Sequence, residues 1–555
     1  MPSADVGKSG RKLLIATIVL AAALRVIGLA TVPPAINQDE AVHAYEAYCL
    51  RVTGGDHTGA KCPIFFRCFG IIESHSAPFI WALIPLQAAF GMNVWTTRLP
   101  PAILGTLNVW LLFLLVRRWY GSRAALLSAF LLAVSPWHIF LSRIAFEVSI
   151  CPPLLTLATL LLVMGSDAND SRLDDRPPRH AVVLLLLSGA VFGLTLWTYN
   201  AMRVFIPLLL LGGSVLCWRQ IRAFVRRSGI LAGVSFLCGL CVGVAPFVWA
   251  CIHTPEQAWG RASTEFILTR TPDVRLAFVK IMRTYAMHFS PHFLFAAGGP
   301  SPGQSFPDYG QLHYYCAVLL PLGLVRVISR RRQEKVGLFV VWWLLAGAVA
   351  PALTELKHGH SLRAAGMLPA VQILSAIGLD MLILFVESRS RAAGRAMMAV
   401  VLAVITVNVA YFLHIVVTRY PAAARKFQAE WQPVVNEIMR RQSQYAAVTL
   451  TSEDTNQIGI LFLFWSNMHP RQYFSSERTL HLGPEFDLLL RVGKYYFVRY
   501  DFFERLWPRL PRGSRLLVAE RPGLPVPGAE LKRFYHPDGS VAVILYDVTV
   551  GSVRR

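Results

Sequence analysis

The chain has 555 residues, of which 54% are hydrophobic and 15% are charged, and its mean hydropathy is +0.47. Soluble domains carry roughly 25% charged residues, so this deficit indicates lipid as the solvent. The formal net charge of +22 does not indicate nucleic acid, because the basic residues lie mostly in short clusters between apolar runs and no zinc-finger or RNA-binding signature is present. We therefore expect no nucleic-acid partner.

Eleven apolar stretches are long enough to cross a bilayer, or nearly so, and they predict an α-helical polytopic membrane protein. They cover residues 13–32, 97–116, 124–141, 150–164, 181–198, 202–217, 229–250, 312–325, 336–353, 364–386 and 396–417. The basic residues before the first stretch resemble those of a signal peptide, but about 20 apolar residues are enough to span, so we expect a retained helix. The shorter stretch Pro78–Phe90 predicts an interfacial helix.

The distribution of Lys and Arg predicts the orientation of these helices. If the N-terminus is cytoplasmic, six clusters of basic residues all fall on the cytoplasmic side, within 8–12, 117–123, 172–179, 219–227, 326–335 and 389–395. An odd number of spans then places the C-terminus outside the cytoplasm, together with two long loops at 33–96 and 251–311. For a bacterial protein, this predicts an inner-membrane location with a periplasmic tail.

The tail after residue 417 differs from the rest of the chain. Its apolar segments are short, rich in β-forming residues and separated by Pro, Gly and Asp: Ala446–Thr451, Tyr495–Tyr500, Ser514–Ala519 and Val541–Val548. Residues 424–445 have helical periodicity. We therefore predict a transmembrane domain over 1–417 and a small soluble α/β domain over 418–555.

The nine cysteines form no Cys/His cluster with metal-ligand spacing. Cys49, Cys62 and Cys68 lie in the first outside loop, where a disulfide can persist, but they are equally well explained as small apolar side chains. His288 and His292 have a spacing that can bind zinc, but no third ligand accompanies them. We therefore expect ordinary histidines there and no metal.

The first outside loop opens with Asn37-Gln38-Asp39-Glu40-Ala41. Adjacent carboxylates at a membrane surface are costly unless they are solvated, paired or functional. One interpretation is a helix start, with Asp39 as the N-cap of the segment Glu40–Leu50 and Glu40 in its first turn. The other is a catalytic site.

The remaining outside loops each carry an acid, an arginine or a histidine. Arg143 and Glu147 lie four residues apart in a short loop, where they form a surface ion pair or line a cavity. Arg203 follows another span, and His360 and Arg363 precede a later one. Together these loops predict a polar site at the outer ends of the helices.

Arg25 lies within the first apolar stretch, where a charge is expensive and often functional. Its guanidinium either reaches the interface or finds a buried polar partner near the site. The distance to the end of the stretch favours the buried partner.

The order of these motifs is similar to that of a known family. The relevant runs are Asp39-Glu40, Ser76-Ala77-Pro78-Phe79-Ile80-Trp81, Thr97-Arg98-Leu99-Pro100, Ser135-Pro136, Ser142-Arg143, Met287-His288-Phe289-Ser290-Pro291-His292-Phe293-Leu294-Phe295 and His360-Ser361-Leu362-Arg363-Ala364-Ala365-Gly366-Met367-Leu368-Pro369. Over residues 13–417 the chain resembles the glycosyltransferase C superfamily, especially its protein O-mannosyltransferase and lipid A aminoarabinose transferase branch. The tail is only loosely similar to the extra periplasmic domains of that family.

The resemblance implies transfer of a sugar from a polyprenyl-phosphate carrier to an acceptor on the extracytoplasmic side, with inversion at the anomeric carbon. It implies that Asp39, Glu40 and Glu147 are the catalytic residues. Asp39 is the general base, and Glu147 occupies the second acidic position and assists. Arginine suits the leaving phosphate, and the candidates are Arg143, Arg203 and Arg363, with His360 beside the last.

One departure from the pattern concerns the phosphate contact. The aminoarabinose transferase has a lysine before paired prolines, whereas this chain has Ser74-His75-Ser76-Ala77-Pro78. Which sugar is transferred stays open, as does the acceptor: a protein, a lipid or another glycan. The implied partners are membrane lipid and the lipid-linked donor, with no further cofactor.

Two other classes of protein remain as alternatives. A secondary transporter places its polar residues near the bilayer midplane and has repeated halves, neither of which is evident here. A non-catalytic membrane scaffold would use the acid pair only as a helix cap.

Overall fold

A computed structural model describes residues 7–68, 70–170, 179–228, 230–299, 303–331, 335–421, 427–451, 458–482, 487–498 and 510–551. The chain divides into two compact units. The helical unit comprises Met1–Ile27, Leu99–His253 and Ala262–Val417. The mixed unit comprises Gly28–Arg98, Thr254–Arg261 and Thr418–Arg555. The predicted domains at 1–417 and 418–555 stay a prediction.

The described residues form α-helices and β-strands whose bounds are as follows. The helices are α1 (Lys8–Val26), α2 (Gln38–Thr53), α3 (Ala77–Phe90), α4 (Val94–Val134), α5 (Pro136–Leu141), α6 (Cys151–Asp170), α7 (Arg179–Thr198), α8 (Met202–Leu216), α9 (Trp218–Ser228), α10 (Ile230–His253), α11 (Pro255–Glu265), α12 (Ile267–Arg270), α13 (Val274–Met287), α14 (Cys316–Ser329), α15 (Lys335–Gly347), α16 (Val349–Ala352), α17 (Ala370–Glu387), α18 (Arg391–Thr418), α19 (Trp431–Arg441), α20 (Ile458–Trp465) and α21 (Pro470–Ser475). The strands are β1 (Phe65–Cys68), β2 (Gly70–Ser76), β3 (Ala447–Thr451), β4 (Arg478–Leu482), β5 (Asp487–Val492), β6 (Tyr495–Val498), β7 (Arg515–Glu520), β8 (Ala529–Tyr535) and β9 (Val541–Thr549).

The protein is an integral membrane protein. Within the described residues, seven helices are long and apolar enough to cross a bilayer, or eight if α8 and α9 are counted as one bent span. Each of the eleven predicted apolar stretches coincides at least partly with a helix. Two of them share α4, whose Gly121 has a φ of 82° and interrupts the helical backbone. The exact number of spans therefore stays a prediction, whereas the helix predicted from Pro78 to Phe90 is present as α3.

Close helix packing in the helical unit depends on facing glycines. α7 carries Gly189 and Gly193, and α10 carries Gly239 and Gly243, so each helix has two glycines four residues apart. A Cβ added at Gly189 would lie 2.0 Å from the carbonyl oxygen of Phe236, and one at Gly239 would lie 1.9 Å from that of Leu186. Small residues at this spacing let helix backbones approach closely in lipid.

The mixed unit contains two β-sheets. β1 and β2 form an antiparallel hairpin, and the other seven strands form a sheet in the order β4-β5-β6-β3-β7-β9-β8. β3 runs parallel to β6 and β7, and the remaining neighbours are antiparallel. The predicted α/β character of the tail is confirmed, because the four predicted β segments coincide with β3, β6, β7 and β9. Residues 499–500 and 424–426, at the ends of predicted segments, lie outside the described residues.

The core of the mixed unit joins the first long loop to the tail. Side chains of α2 (Tyr45, Tyr48 and Cys49) pack with α19, α20 and the sheet in one cluster of buried apolar residues. Cys49 and Cys62 carry free thiols, so they do not form a disulfide with each other. The side chain of Cys68 lies outside the described residues. The burial of α2 against the tail fixes the start of this helix, which carries the acid pair.

Candidate active site

The acid pair lies in the first turn of α2. Asn37 is the N-cap, and its side-chain oxygen accepts a hydrogen bond from the Asp39 N–H at 2.9 Å. The Glu40 carboxylate accepts from the Asn37 N–H at 2.9 Å and completes a capping box. The prediction that Asp39 is the N-cap is therefore wrong, because the helix begins earlier and Asn37 satisfies its first N–H groups. The prediction that Glu40 suits the first turn is confirmed.

Glu40 is also half of a fully buried ion pair with Arg98. Arg98 Nε donates to Glu40 Oε1 at 2.8 Å and Nη2 to Oε2 at 2.7 Å, and both side chains are 0% exposed. The remaining donors of Arg98 bind the carbonyls of Leu29, Pro33 and Ala35 at 3.2, 2.7 and 2.6 Å. One arginine thus holds both Glu40 and the turn that precedes α2.

The two adjacent acids therefore have different environments. Glu40 is buried and ion-paired, whereas Asp39 is half-buried. The bidentate contact with Arg98 holds the buried Glu40 side chain in place, which suits a positioning role. Asp39 is carried on the same turn and is the more exposed acid of the pair.

The run Ser74-His75-Ser76-Ala77-Pro78 contains a buried histidine. His75 in β2 is 7% exposed, and its ring centroid lies 4.3 Å from that of His43 on α2 at an interplanar angle of 72°. The His43 ring also lies 5.1 Å from that of Phe79 on α3. The first loop therefore supplies an imidazole cluster at this point. Sequence reasoning misses both His43 and Arg98 as site residues, although Arg98 lies in one of the family runs.

In the helical unit, a break between α4 and α5 leaves backbone carbonyls that need partners. Pro136 has no N–H, so it cannot bond the carbonyl of Leu132. The N–H of Trp137 donates to the Gln311 carbonyl instead of continuing the helix. His313 Nε2 lies 2.9 Å from the Val134 carbonyl and supplies its donor.

Arg25 supplies the other donors at this break. Its Nη1 donates to the Ala133 carbonyl at 3.0 Å and its Nη2 to that of Leu132 at 3.2 Å. The same Nη2 lies 2.7 Å from His138 Nδ1, and Arg25 is 0% exposed. The prediction of a buried polar partner is confirmed, and that of a guanidinium reaching the interface is wrong.

His138 extends this contact into α4. A guanidinium only donates, so Nδ1 of His138 accepts from Arg25. Nε2 of the same ring lies 3.0 Å from the side-chain nitrogen of Asn108. Arg25, His138 and Asn108 therefore form a buried chain that joins α1, α5 and α4.

This chain precedes the loop that carries two predicted site residues. Arg143 is 5% exposed and its Nη1 donates to the Leu24 carbonyl at 2.9 Å, while Glu147 is 8% exposed at the start of a 3₁₀ turn, Glu147–Ile150. The interpretation of the two as an exposed surface pair is therefore wrong. Arg25 and Arg143 are close enough for their positive charges to repel each other.

Arg203 lies in the first turn of α8, where it is half-buried. Its guanidinium lies 4.9 Å from the centroid of the Phe247 ring, within the range of a cation–π contact. Its charge is attracted by Glu147, so the fold brings these two predicted residues together.

His360 and Arg363 form a second polar group. Arg363 Nη2 donates to Glu265 Oε2 at 2.7 Å, and the Arg363 N–H points to His360 Nδ1 at 3.4 Å. The intervening Ser361 accepts a hydrogen bond at its carbonyl from Trp137 Nε1 at 3.1 Å. α5 therefore contacts both groups, through His138 on one side and Trp137 on the other.

His288 is a structural residue rather than a metal ligand. Its Nδ1 donates to the Thr284 carbonyl at 2.8 Å, and its Nε2 accepts from the His360 N–H at 3.1 Å. Burial lowers the pKa of His288 to about 4, so the ring is neutral. α13 ends at Met287, which removes the helical spacing to His292. The expectation of an ordinary histidine here is confirmed.

Comparison with known proteins places this geometry in context. Residues 75–249 match the family model described as dolichyl-phosphate-mannose-protein mannosyltransferase. The putative mannosyltransferase YkcB from Bacillus subtilis (strain 168) is 25% identical over 187 residues, which cover 33% of this chain and 25% of that protein. The chain thus spans about a quarter of the length of this curated relative.

Two solved structures have the same fold over nearly their whole length. ArnT from Cupriavidus metallidurans in the apo state matches with a TM-score of 0.56 and 14% identity over 97% of this chain and 98% of that one. The same protein bound to undecaprenyl phosphate matches with a TM-score of 0.54 and 14% identity over 99% and 100% of the two chains. The family model covers Arg98, Arg143, Glu147 and Arg203 but begins after Asp39.

Proposed function

We propose that this chain, a member of the glycosyltransferase C superfamily, transfers a sugar from a polyprenyl-phosphate-linked donor to an acceptor on the extracytoplasmic face of the membrane. The family match and the full-length likeness to ArnT, one structure of which holds undecaprenyl phosphate, support the donor class. The side of the membrane is supported by the six clusters of Lys and Arg in the opposite connections.

The observation that carries the proposal is that Asp39 and Glu40 are adjacent but have different environments. Arg98 and the capping box fix Glu40, and the same turn presents the half-buried Asp39. A general base needs a defined position within hydrogen-bond reach of the acceptor, and a rigid helix start provides that. Asp39 is therefore the base, and Glu40 is the acid that positions it.

The reaction is a single displacement. Asp39 takes the proton of the acceptor hydroxyl as its oxygen forms a bond to the anomeric carbon. The bond from that carbon to the phosphate oxygen breaks, and the lipid phosphate leaves with the electron pair. Attack from the face opposite the phosphate inverts the anomeric configuration. Glu147 assists by orienting the acceptor.

The leaving phosphate requires positive charge. Arg143 is the favoured contact, because it is buried in the same short loop as Glu147 and its fork of donors matches phosphate oxygens. Arg203 ranks second, since it is half-buried in the first turn of α8, where the helix dipole favours an anion. Arg363 already binds Glu265, so Arg363 and its neighbour His360 rank last.

The acceptor class is a protein, a lipid or a glycan. A secondary transporter and a non-catalytic scaffold are the alternatives, and neither explains a buried arginine that fixes one acid beside a more exposed one. In a scaffold, the capping box alone would account for both acids.

A donor screen tests the proposal. The purified full-length protein is incubated with radiolabelled polyprenyl-phosphate sugars and an extract containing membranes and proteins. Wild type is expected to move label from one donor to an acceptor, and Asp39→Asn to reduce the rate by about 10²–10⁴-fold, because the base is lost and the shape is kept. The matched control is Asp538→Asn, in an exposed turn where the amide oxygen can still accept from Ser540.

Each outcome decides between the classes of protein. Transfer by wild type and by the control, but not by Asp39→Asn, supports the assignment. Equal transfer by all three proteins would remove Asp39 from the reaction. No transfer from any donor by folded protein would favour the transporter or the scaffold.

A further inference from the structure

A short helix that follows the apolar helix α8 has a pattern of apolar and basic residues that the transfer reaction does not explain. α9 follows α8 after Cys217, and the axes of the two helices differ by 76°. Spanning helices tilt by about 20° on average from the bilayer normal. A helix bent by 76° from such a span therefore runs closer to the membrane plane than to the normal.

The residues of α9 separate into two faces. At about 100° per residue, its four large apolar side chains fall within an arc of about 120° and three of its arginines within an arc of about 60°. The apolar side chains are Trp218, Ile221, Phe224 and Val225, and the arginines are Arg219, Arg222 and Arg226. The sequence of α9 contains no Asp or Glu, so no acid within the helix offsets this charge.

Both faces are accessible. Trp218 is 60% exposed and Ile221 is 37% exposed, and the three arginines are exposed as well. Val225 faces Gly233 of α10, so one edge of the helix packs on the helical unit. The preceding helix α8 also exposes apolar side chains, since Leu211 and Val215 are 66% and 70% exposed.

We propose that α9 is an interfacial helix that binds anionic phospholipid headgroups. Its apolar arc lies at the boundary of the acyl chains, and Arg219, Arg222 and Arg226 bind the phosphate groups. Arginine forks match phosphate oxygens, and a tryptophan at this depth is typical of the headgroup layer. Because α9 directly follows an apolar helix whose side chains are also exposed, lipid is favoured over a soluble protein or a second copy of the chain. This inference does not depend on the proposed function.

Lipid enrichment provides the first test. The full-length protein is incubated in mixed micelles that contain equal amounts of phosphatidylcholine and phosphatidylglycerol, and the lipids that copurify are measured by mass spectrometry. Each arginine near a membrane surface favours anionic lipid by about five-fold. The variant Arg219→Gln/Arg222→Gln/Arg226→Gln is therefore expected to lose at least ~10-fold of the phosphatidylglycerol enrichment.

A charge-matched variant serves as the control. Arg389→Gln/Arg391→Gln/Arg395→Gln removes three exposed arginines, Arg389 from the connection between α17 and α18 and the other two from the start of α18. It is expected to keep most of the enrichment. An equal loss in both variants would show that only total charge matters, and no loss in the α9 variant would also overturn the proposal.

Fluorescence quenching tests the apolar face. The protein and its Trp218→Phe variant are reconstituted in nanodiscs with brominated phosphatidylglycerol, and the difference between the two spectra isolates Trp218. Strong quenching of this difference, reduced by the α9 arginine variant, is the expected result. An unquenched Trp218 would place the helix away from lipid and would favour a protein partner.

Discussion

Two helix ends in this protein satisfy their free backbone groups in different ways. At the start of α2 in the mixed unit, Asn37 and Glu40 satisfy the free backbone N–H groups from within four residues of sequence. At the end of α4 in the helical unit, the free carbonyls are satisfied by Arg25 and His313, which lie more than a hundred residues away in the chain. The partners at the first helix end are local and can be predicted from sequence, whereas those at the second depend on the tertiary fold.

The difference matters because each helix end positions predicted site residues. The start of α2 carries Asp39, and the break after α4 leads through α5 to Arg143 and Glu147. Lipid offers no water to satisfy orphan carbonyls, so a break within a membrane protein requires side-chain donors. The buried charge of Arg25 is explained by this requirement.

The largest expected effect concerns Arg98. This residue binds Glu40 from 58 positions away, so the start of α2 depends on a distant residue as well as on its own cap. Arg98→Gln leaves Glu40 as a buried carboxylate without its guanidinium and is expected to cost about 3–5 kcal/mol of stability. Thermal unfolding of the purified protein measures this loss. Arg123→Gln is the control, because its pairs with Asp380 and Glu387 are partly exposed and each is worth about 0–1 kcal/mol. Similar losses in the two variants would contradict a special role for the buried pair.

The second effect tests the contacts of Arg25 at the end of α4. Arg25→Gln removes charged hydrogen bonds to Leu132, Ala133 and His138 and is expected to destabilise the protein by about 2–3 kcal/mol. A double-mutant cycle with His138→Asn is expected to give a coupling energy of about 1–3 kcal/mol, because the two side chains are in contact. Additive losses would show that the contact is energetically unimportant.

Sequence patterns predict the local features of this protein and miss the distant ones for one physical reason. Apolar period and length identify the helices, and β-rich segments between turns identify the strands of the tail. The acid pair is recognisable, but its N-cap is predicted at Asp39 rather than Asn37, because both residues are good caps and only the backbone distinguishes them.

Arg98 and His138 are not identifiable as positioning residues from local sequence. Their partners are Glu40, 58 positions away, and Arg25, 113 positions away, and no local pattern encodes such a pairing. The same limit explains the interpretation of Arg143 and Glu147 as an exposed pair. Their spacing fits a helix surface, whereas their burial depends on the helices that surround them.

His288 lies between the two cases, since it uses one near and one distant partner at the end of α13. Its pKa is lowered from 6.5 to about 4 by burial, so the folded protein binds fewer protons than the unfolded chain between these pH values. The contribution of His288 to the free energy of unfolding is therefore fully present above about pH 6.5. It falls as the pH drops towards 4, and the loss is about 2 kcal/mol at pH 5.

Unfolding midpoints at pH 8 and pH 5 measure this effect. His288→Asn removes the titrating ring, so the part of the pH dependence below 6.5 that belongs to His288 is expected to disappear. His292→Asn, which changes an exposed histidine, is the control and is expected to keep it. Identical pH profiles for wild type and His288→Asn would contradict the assignment of a buried neutral ring.

The smallest effect tests the N-cap of α2 alone. Asn37→Ala removes the side-chain acceptor of the Asp39 N–H and is expected to cost about 1 kcal/mol, whereas Asn37→Ser keeps an acceptor and is expected to be nearly neutral. Unfolding midpoints of the two variants give the difference. Because the capping box also fixes Asp39, Asn37→Ala is expected to lower sugar transfer more than Asn37→Ser does at a temperature where both are folded. Equal transfer by the two variants would show that Arg98 alone positions the acid pair and that the Asn37 cap contributes only to stability.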